Sequence, residues 1–281
     1  MKIQLLSDLH LEAQPDFAFA PAPGADLLVL AGDIGSYQPG SRLAEPDFGL
    51  ARFSPKHGWP VPVMYVPGNH EYDALDFDAT HARLRALCAE LGITWLEREV
   101  VQRGGVRFVG TTLWSDFDAL GQPPEGRPGS LAHSLKMREK AFRAANFYLE
   151  KARTLRHGEL MLAQQMREQS LLCQQWLRKA LAEPFDGITV VVTHFAPSLE
   201  SADPRYGLTP GTAGFCNALD ELLPLADFWL HGHLHCPVQY VKDGCRVAAN
   251  PLGYTKKGEQ AAFLPHFTLD LRDHERTDAE R

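Results

Sequence analysis

No stretch of the 281 residues comes near the ~18 uninterrupted apolar residues that a membrane-spanning helix requires. Cysteine is scarce. Cys88, Cys173, Cys216, Cys236 and Cys245 are odd in number and lack CxxC spacing, which argues against both a disulfide framework and a thiolate zinc centre. Basic charge is also short: 28 Lys+Arg against 35 Asp+Glu leave a formal net charge of −7, so no general nucleic-acid binding is expected. Polar residues in Ile3-Gln4-Leu5-Leu6-Ser7-Asp8 interrupt the place where a secretion signal would stay apolar. A cytoplasmic chain with reduced thiols is expected. There is no internal repeat, and 44% hydrophobic with 22% charged residues excludes disorder, collagen and coiled coil.

What is present is a series of short apolar runs ending in Gly, Asp or Asn, the pattern of buried strands that open into loops. The runs are Lys2 to Ser7, Leu27 to Ala31, Val63 to Val66, Val106 to Gly110, Ile188 to Thr193 and Phe228 to Leu230. Val238 to Val241, Arg246 to Ala249 and His266 to Leu271 are further strands, with Asp243-Gly244 as a hairpin turn. Asp78 to Leu91 carries helical spacing through Ala79, Ala82, Leu84, Leu87 and Leu91 and stops at Gly92. From about Ser134 to Ala182 the chain lacks Pro and is rich in helix formers, breaking near His157-Gly158, so two helices are expected there as an insertion against the main sheet. Gly121 to Gly129 is a loop by composition, and the charged tail from Arg272 is expected to fray. Strands interleaved with helices predict an α/β fold.

Five clusters place metal-competent side chains directly after strands: Asp8-Leu9-His10, Gly32-Asp33, Gly68-Asn69-His70-Glu71, Thr193-His194 and His231-Gly232-His233-Leu234-His235. Residues two apart in extended chain project to one side, so Asp8 with His10, and His233 with His235, can converge. Gly32, Gly68 and Gly232 each precede a candidate ligand and allow the backbone a close approach. Asp, His and Asn suit Mn, Fe, Zn or Mg, so hydrolytic or redox chemistry is expected in place of a structural tetrathiolate zinc.

The ordered set DxH, GD, GNHE, TH and GHxH resembles the calcineurin-like metallophosphoesterase superfamily from residue 8 to residue 235, and a bacterial single-domain branch of it through Thr111 to Asp116, Thr193 to Ser198 and Asn250 to Tyr254. The resemblance implies a four-layer αββα sandwich of two mixed β-sheets flanked by helices, with the metal site at the C-terminal ends of strands. It implies one domain over 1–281, with the helical insertion at about 134–182. It also implies two divalent ions, one held by Asp8, His10, Asp33 and His235 and the other by Asp33, Asn69, His194 and His233, with Asp33 bridging. His70 resembles the catalytic histidine that stabilises or protonates phosphate oxygens. Protein phosphatases of the superfamily orient that histidine with a carboxylate three residues after the GD aspartate; Ser36 stands there in this chain, so the partner of His70 is left open between neighbours such as Glu71 and Asp73. The absence of Arg from Gly32 to Tyr37 argues against a protein phosphatase, and Phe195 stands where many diesterases carry a second histidine.

The expected activity is that of a phosphatase or phosphodiesterase: hydrolysis of a small phosphate mono- or diester through a metal-bridging hydroxide, with manganese among the candidate metals. Falling pH is expected to weaken metal binding, because histidine ligands must be neutral. An alternative substrate is a nucleotide-linked lipid pyrophosphate covered by the insertion, whose Lys136, Arg138, Lys140, Arg143, Lys151, Arg153 and Arg156 offer a basic rim. An alternative of another class is a non-catalytic scaffold. Candidate substrate contacts are Asp116, Arg205, Tyr206 and Asn250, with Trp114 and Tyr254 beside them. His231 is expected in the core or behind the ligands.

Overall fold

Along β1 (Lys2–Leu6), Ile3 and Leu5 face one way and Leu6 the other, and all three are fully buried. A strand apolar on both faces needs a layer on each side. The computed structural model describes residues 1–121 and 130–273, so the expected loop at 121–129 and the tail from Arg272 lie outside it but for Gly121, Arg272 and Asp273. After β1 come β2 (Leu27–Ala31), β3 (Val63–Val66), α1 (Phe77–Leu91), β4 (Thr94–Trp95), β5 (Glu99–Arg103) and β6 (Val106–Thr111). Then follow α2 (Leu131–Ala152), β7 (Leu155–Arg156), β8 (Glu159–Leu160), α3 (Ala163–Ala182), β9 (Ile188–Thr193), β10 (Phe228–His231), β11 (Val238–Lys242), β12 (Cys245–Ala249) and β13 (Thr268–Asp270).

One sheet has the order β13-β1-β2-β3-β4, parallel except for β13, and the other β11-β12-β10-β9-β6-β5, antiparallel at both edges. Alternate residues from both sheets, among them Leu5, Val29, Val66, Phe108, Val192 and Leu230, form one core between them. Their neighbours along the strands, such as Leu28, Leu30, Val191 and Trp229, join an outer core that takes in Leu84 and Cys88 of α1 and Cys173 and Leu177 of α3. At about 1.5–3 kcal/mol for each fully buried aliphatic or Phe side chain, these layers carry most of the stabilisation. The fold is therefore α/β, with two mixed sheets flanked by helices.

Two details differ from the sequence pattern. The buried stripe of α1 is Phe77, Thr80, Leu84, Cys88 and Leu91, while Ala79 and Ala82 are exposed. The Asp76 carboxylate accepts from Ala79 N at 3.0 Å and caps the helix start, and packing of Phe77 against Tyr72 and Trp114 sets which face is buried. Strands β4 and β5 carry no apolar run because β4 has two residues and β5 is a half-exposed edge. In the helical segment, His157-Gly158 is the turn between β7 and β8, and α3 packs on β6.

All the parallel strands end on the same side of the sandwich. β1 leads into Ser7-Asp8, β2 into Gly32-Asp33, β3 into Pro67-Gly68-Asn69, β9 into His194 and β10 into Gly232-His233. Parallel order thus brings together side chains that the sequence spreads over more than two hundred positions.

Candidate metal centre

At this edge the ligand atoms of Asp8, His10 and His235 lie within 4.8 Å of one another, and so do those of Asp33, His194 and His233. Asp33 faces both groups, with Oδ2 at 4.0 Å from His10 Nε2 and 3.3 Å from His194 Nε2. Asn69 Oδ1 is 3.1 Å from His194 Nε2. The structure therefore brings together all seven side chains singled out as ligands.

The backbone is bent to achieve this. Asp8 (φ 53°), His10 (φ 44°), Asp33 (φ 55°), His233 (φ 73°) and His235 (φ 45°) all occupy the left-handed region that non-glycine residues seldom adopt. Such strain persists where the surroundings over-determine it and gathers at functional sites. Gly32 (φ 89°) lies so close to the His194 ring that a Cβ there would overlap Nδ1.

The polar atoms left without partners fit a cation. Asp33 Oδ2 and His233 Nε2 are buried and have no hydrogen-bond partner. His10 Nε2 faces His235 Nε2 at 2.9 Å, and His194 Nε2 faces the oxygens of Asp33 and Asn69. Lone pairs aimed at one another require a proton or a metal ion between them. In the ion-free protein protons take that place. Burial lowers His194, but Asp33 more than offsets this and pushes it up to about 9. Burial likewise lowers His235, and its bonds to Asp8 and Glu259 raise it to about 9. Burial raises Asp8 and His235 outweighs it, to a net of about 2. Asp33 is held well below the usual carboxylate range, burial being outweighed by His194 and His70. A bound dication would displace the histidine protons.

His70 stands at the mouth, with Nδ1 2.5 Å from Asp73 Oδ2, and its backbone N–H donates to Asp33 Oδ1 at 2.8 Å. The carboxylate partner left open by the sequence is therefore Asp73, brought under the ring by the 3₁₀ turn at His70–Tyr72. Burial lowers His70, but Asp73 and Asp33 raise it well above its ordinary value. Glu71 has a different task. Fully buried, it accepts from Asp33 N at 3.2 Å, Ile34 N at 2.7 Å and Gly68 N at 2.9 Å, clamping two ligand-bearing loops together. Burial and the Asp33 charge push its carboxyl up to about 8, against the pull of the Ile34 N–H and the His194 charge.

The structure places the remaining candidates in varied surroundings. Asp116 is buried and accepts from Gln174 Nε2 and Asp118 N, within a network that ties α3 to the loop after β6. Asn250 bonds backbone atoms of Leu5 and Leu264 and holds the turn on which Tyr254 stacks over His10, centroids 4.2 Å apart. Arg205 is exposed and paired with Asp203, and Tyr206 is exposed beside it. Trp114 packs among Tyr72, Phe77 and Phe195, and Phe195 lies 4.0 Å from the His233 ring. Of the insertion's basic residues, Arg138 is bound to Asp118 and Arg156 to Asp78. Sequence reasoning missed Glu12 and Glu259, which lie 2.9 Å and 2.7 Å from the Nδ1 atoms of His10 and His235.

His231 lies behind the ligands, its Nδ1 donating to Gly232 O and its Nε2 accepting from Ser201 Oγ. Burial lowers it to about 4, and burial with Arg98 does the same to His81. Both values lie below the unfolded ~6.5, so this stability is present above pH 6.5 and lost as pH falls through 4. Between pH 7 and pH 4.5 the urea midpoint of wild type should therefore fall relative to that of His81→Asn, the Glu71 carboxyl raised to about 8 shifting both alike. An equal loss in both proteins would contradict this account.

The sequence model of the calcineurin-like phosphoesterase family matches residues 1–237. An uncharacterized protein of Acanthamoeba polyphaga mimivirus is 25% identical over 259 residues, which cover 87% of this chain and 83% of the viral one. Among solved structures, phosphopantetheinyl hydrolase from Mycobacterium tuberculosis is similar in fold, with a TM-score of 0.63 at 21% identity over 93% of this chain and 92% of that one. With these matches beside a cluster built for cations, the chain belongs to the calcineurin-like phosphoesterases and is a metal-dependent phosphoric ester hydrolase.

Proposed function

We propose that the whole chain is one phosphoesterase domain, with a helical insertion, that holds two dications and hydrolyses a small phosphate mono- or diester. One ion is assigned to Asp8, His10, Asp33 and His235, the other to Asp33, Asn69, His194 and His233. The observation that carries the two-ion reading is Asp33 Oδ2, a buried and unpartnered carboxylate oxygen lying between the two sets of histidine nitrogens. Two dications there would acidify a water and neutralise the charge that builds on the phosphoryl oxygens.

The chain's own residues do the rest. Asp33 sets the spacing of the two sets and keeps His70 in place through its backbone N–H. Burial lowers His70, but the Asp73 and Asp33 charges hold it as the imidazolium, with Nδ1–H on Asp73 and a second proton on Nε2 free to transfer. As water oxygen bonds to phosphorus and the ester P–O bond breaks, that proton passes to the departing alkoxide. Phe195 against the His233 ring keeps one wall apolar, which limits water near that ion.

The test is a metal-stripped preparation titrated with manganese and screened on bis-p-nitrophenyl phosphate, p-nitrophenyl phosphate and nucleotides. A phosphopantetheinyl ester joins the panel because the similar mycobacterial hydrolase is named for that group. Turnover should be absent without metal and return as two ions bind per chain. Activity that persists after chelation, or saturates at one ion, would overturn the reading. The ratio between the two nitrophenyl esters separates diesterase from monoesterase.

A further inference from the structure

We infer that Glu12 and Glu259 make the two ion pockets unequal, so that the pocket of Asp8, His10 and His235 binds its metal first and more tightly. This rests on the two-ion reading above. His10 Nδ1 lies 2.9 Å from Glu12 Oε1, and His235 Nδ1 lies 2.7 Å from Glu259 Oε2. A carboxylate only accepts, so each Nδ1 carries the hydrogen and Nε2 is the nitrogen each ring offers to a metal that displaces any proton there. Those two Nε2 atoms are the pair that meet at 2.9 Å. Both rings are thus fixed in the ligating tautomer and aimed at one point, and each gains basicity from the anion behind it.

The other pocket lacks this backing. His194 Nδ1 bonds the neutral carbonyl of Ala31 at 2.8 Å, and Asn69 contributes no charge. Glu71 lies near, but its oxygens are occupied by backbone N–H groups and bond no ligand ring. Besides the shared Asp33, the first pocket therefore has Asp8 and two supporting carboxylates, and the second has neutral ligands alone.

Glu259 belongs to the segment beyond residue 237, where the family match ends. Its position is built. Oε2 also accepts from Tyr254 N at 2.8 Å, and Gly253 (φ 68°) admits it, since a Cβ there would sit 2.9 Å from that oxygen and 3.3 Å from His235 Cβ. Glu12 is almost fully buried against His10, which carries Tyr254 stacked on its face. The loop that brings Tyr254 over one ligand thus brings Glu259 behind another.

Calorimetric titration of the metal-stripped full chain with manganese tests this. Wild type should show a tight and a weaker event. Glu259→Ala should weaken the tight event by ~10–100-fold and leave the weaker one nearly unchanged, with Glu259→Gln in between, since its carbonyl still accepts from Nδ1 but carries no charge. Histidine ¹⁵N spectra of the loaded protein give a second readout: His235 should lie in the Nδ1–H form in wild type and be mixed in Glu259→Ala. Two wild-type events with the tight one unmoved in Glu259→Ala, or both events weakened alike, would overturn the inference and leave the two-ion reading standing. Failure of the wild-type protein to take up two ions would overturn both.

Discussion

Asp33→Asn is expected to leave a folded protein that holds at most one ion and turns over ~10³–10⁵ times more slowly. Asparagine suits the test because it tolerates the left-handed backbone at φ 55°, where alanine would add strain of its own. Its carbonyl oxygen can still accept from His70 N, as Asp33 Oδ1 does at 2.8 Å. What disappears is the charge on Oδ2, the oxygen placed between His10 and His194. Without it, two cations at bridging distance repel each other with little to offset the repulsion. The loss of several kcal/mol of transition-state stabilisation gives the stated range, at about 1.4 kcal/mol per tenfold. The metal-dependent rise in Tm should shrink in the same variant, because less binding energy is linked to folding. Elemental analysis showing two ions in Asp33→Asn, with turnover within tenfold of wild type, would remove Asp33 from the bridging position.

Such an experiment could be designed from the sequence because ligands at strand ends are legible there. A buried strand is an apolar run, the residue after it opens a loop, and parallel pairing gathers those loops on one side. Asp8, Asp33, Asn69, His194 and His233 each follow a run that the structure confirms as a strand. The supporting groups are not legible in this way. Asp73 reaches His70 only because the intervening residues form a 3₁₀ turn, which leaves no periodic trace in a few residues. Glu259 stands 24 positions from His235 in a polar stretch and Glu12 two positions from His10, and neither departs from the pattern of an ordinary surface glutamate. Long-range contact decides their role, as it decides the face of α1, where Thr80 and Cys88 are buried and two alanines are not. The strained φ values of the ligands are likewise a tertiary property, since no sequence signal puts Asp8 or His10 in the left-handed region.

His70→Ala should keep both ions and slow turnover by ~10²–10⁴, the contribution of a positioned acid. The size should depend on the leaving group. A p-nitrophenolate departs without help, whereas an alkoxide needs the proton from Nε2, so the penalty should be several times larger on an alkyl ester. Asp73→Asn tests the other end of the ring. Burial lowers His70 and the Asp73 and Asp33 charges raise it well above its ordinary value, so losing the Asp73 charge lowers it. An acid works only while protonated, and the alkaline limb of the kcat/KM profile should therefore move to lower pH in Asp73→Asn, with a smaller loss of rate than in His70→Ala. A limb that stays in place would assign Asp73 to holding the turn at His70–Tyr72 alone. Loss of metal from His70→Ala would move His70 into the ligand set, where its contacts with His10 and Asp33 would then have to be read as coordination.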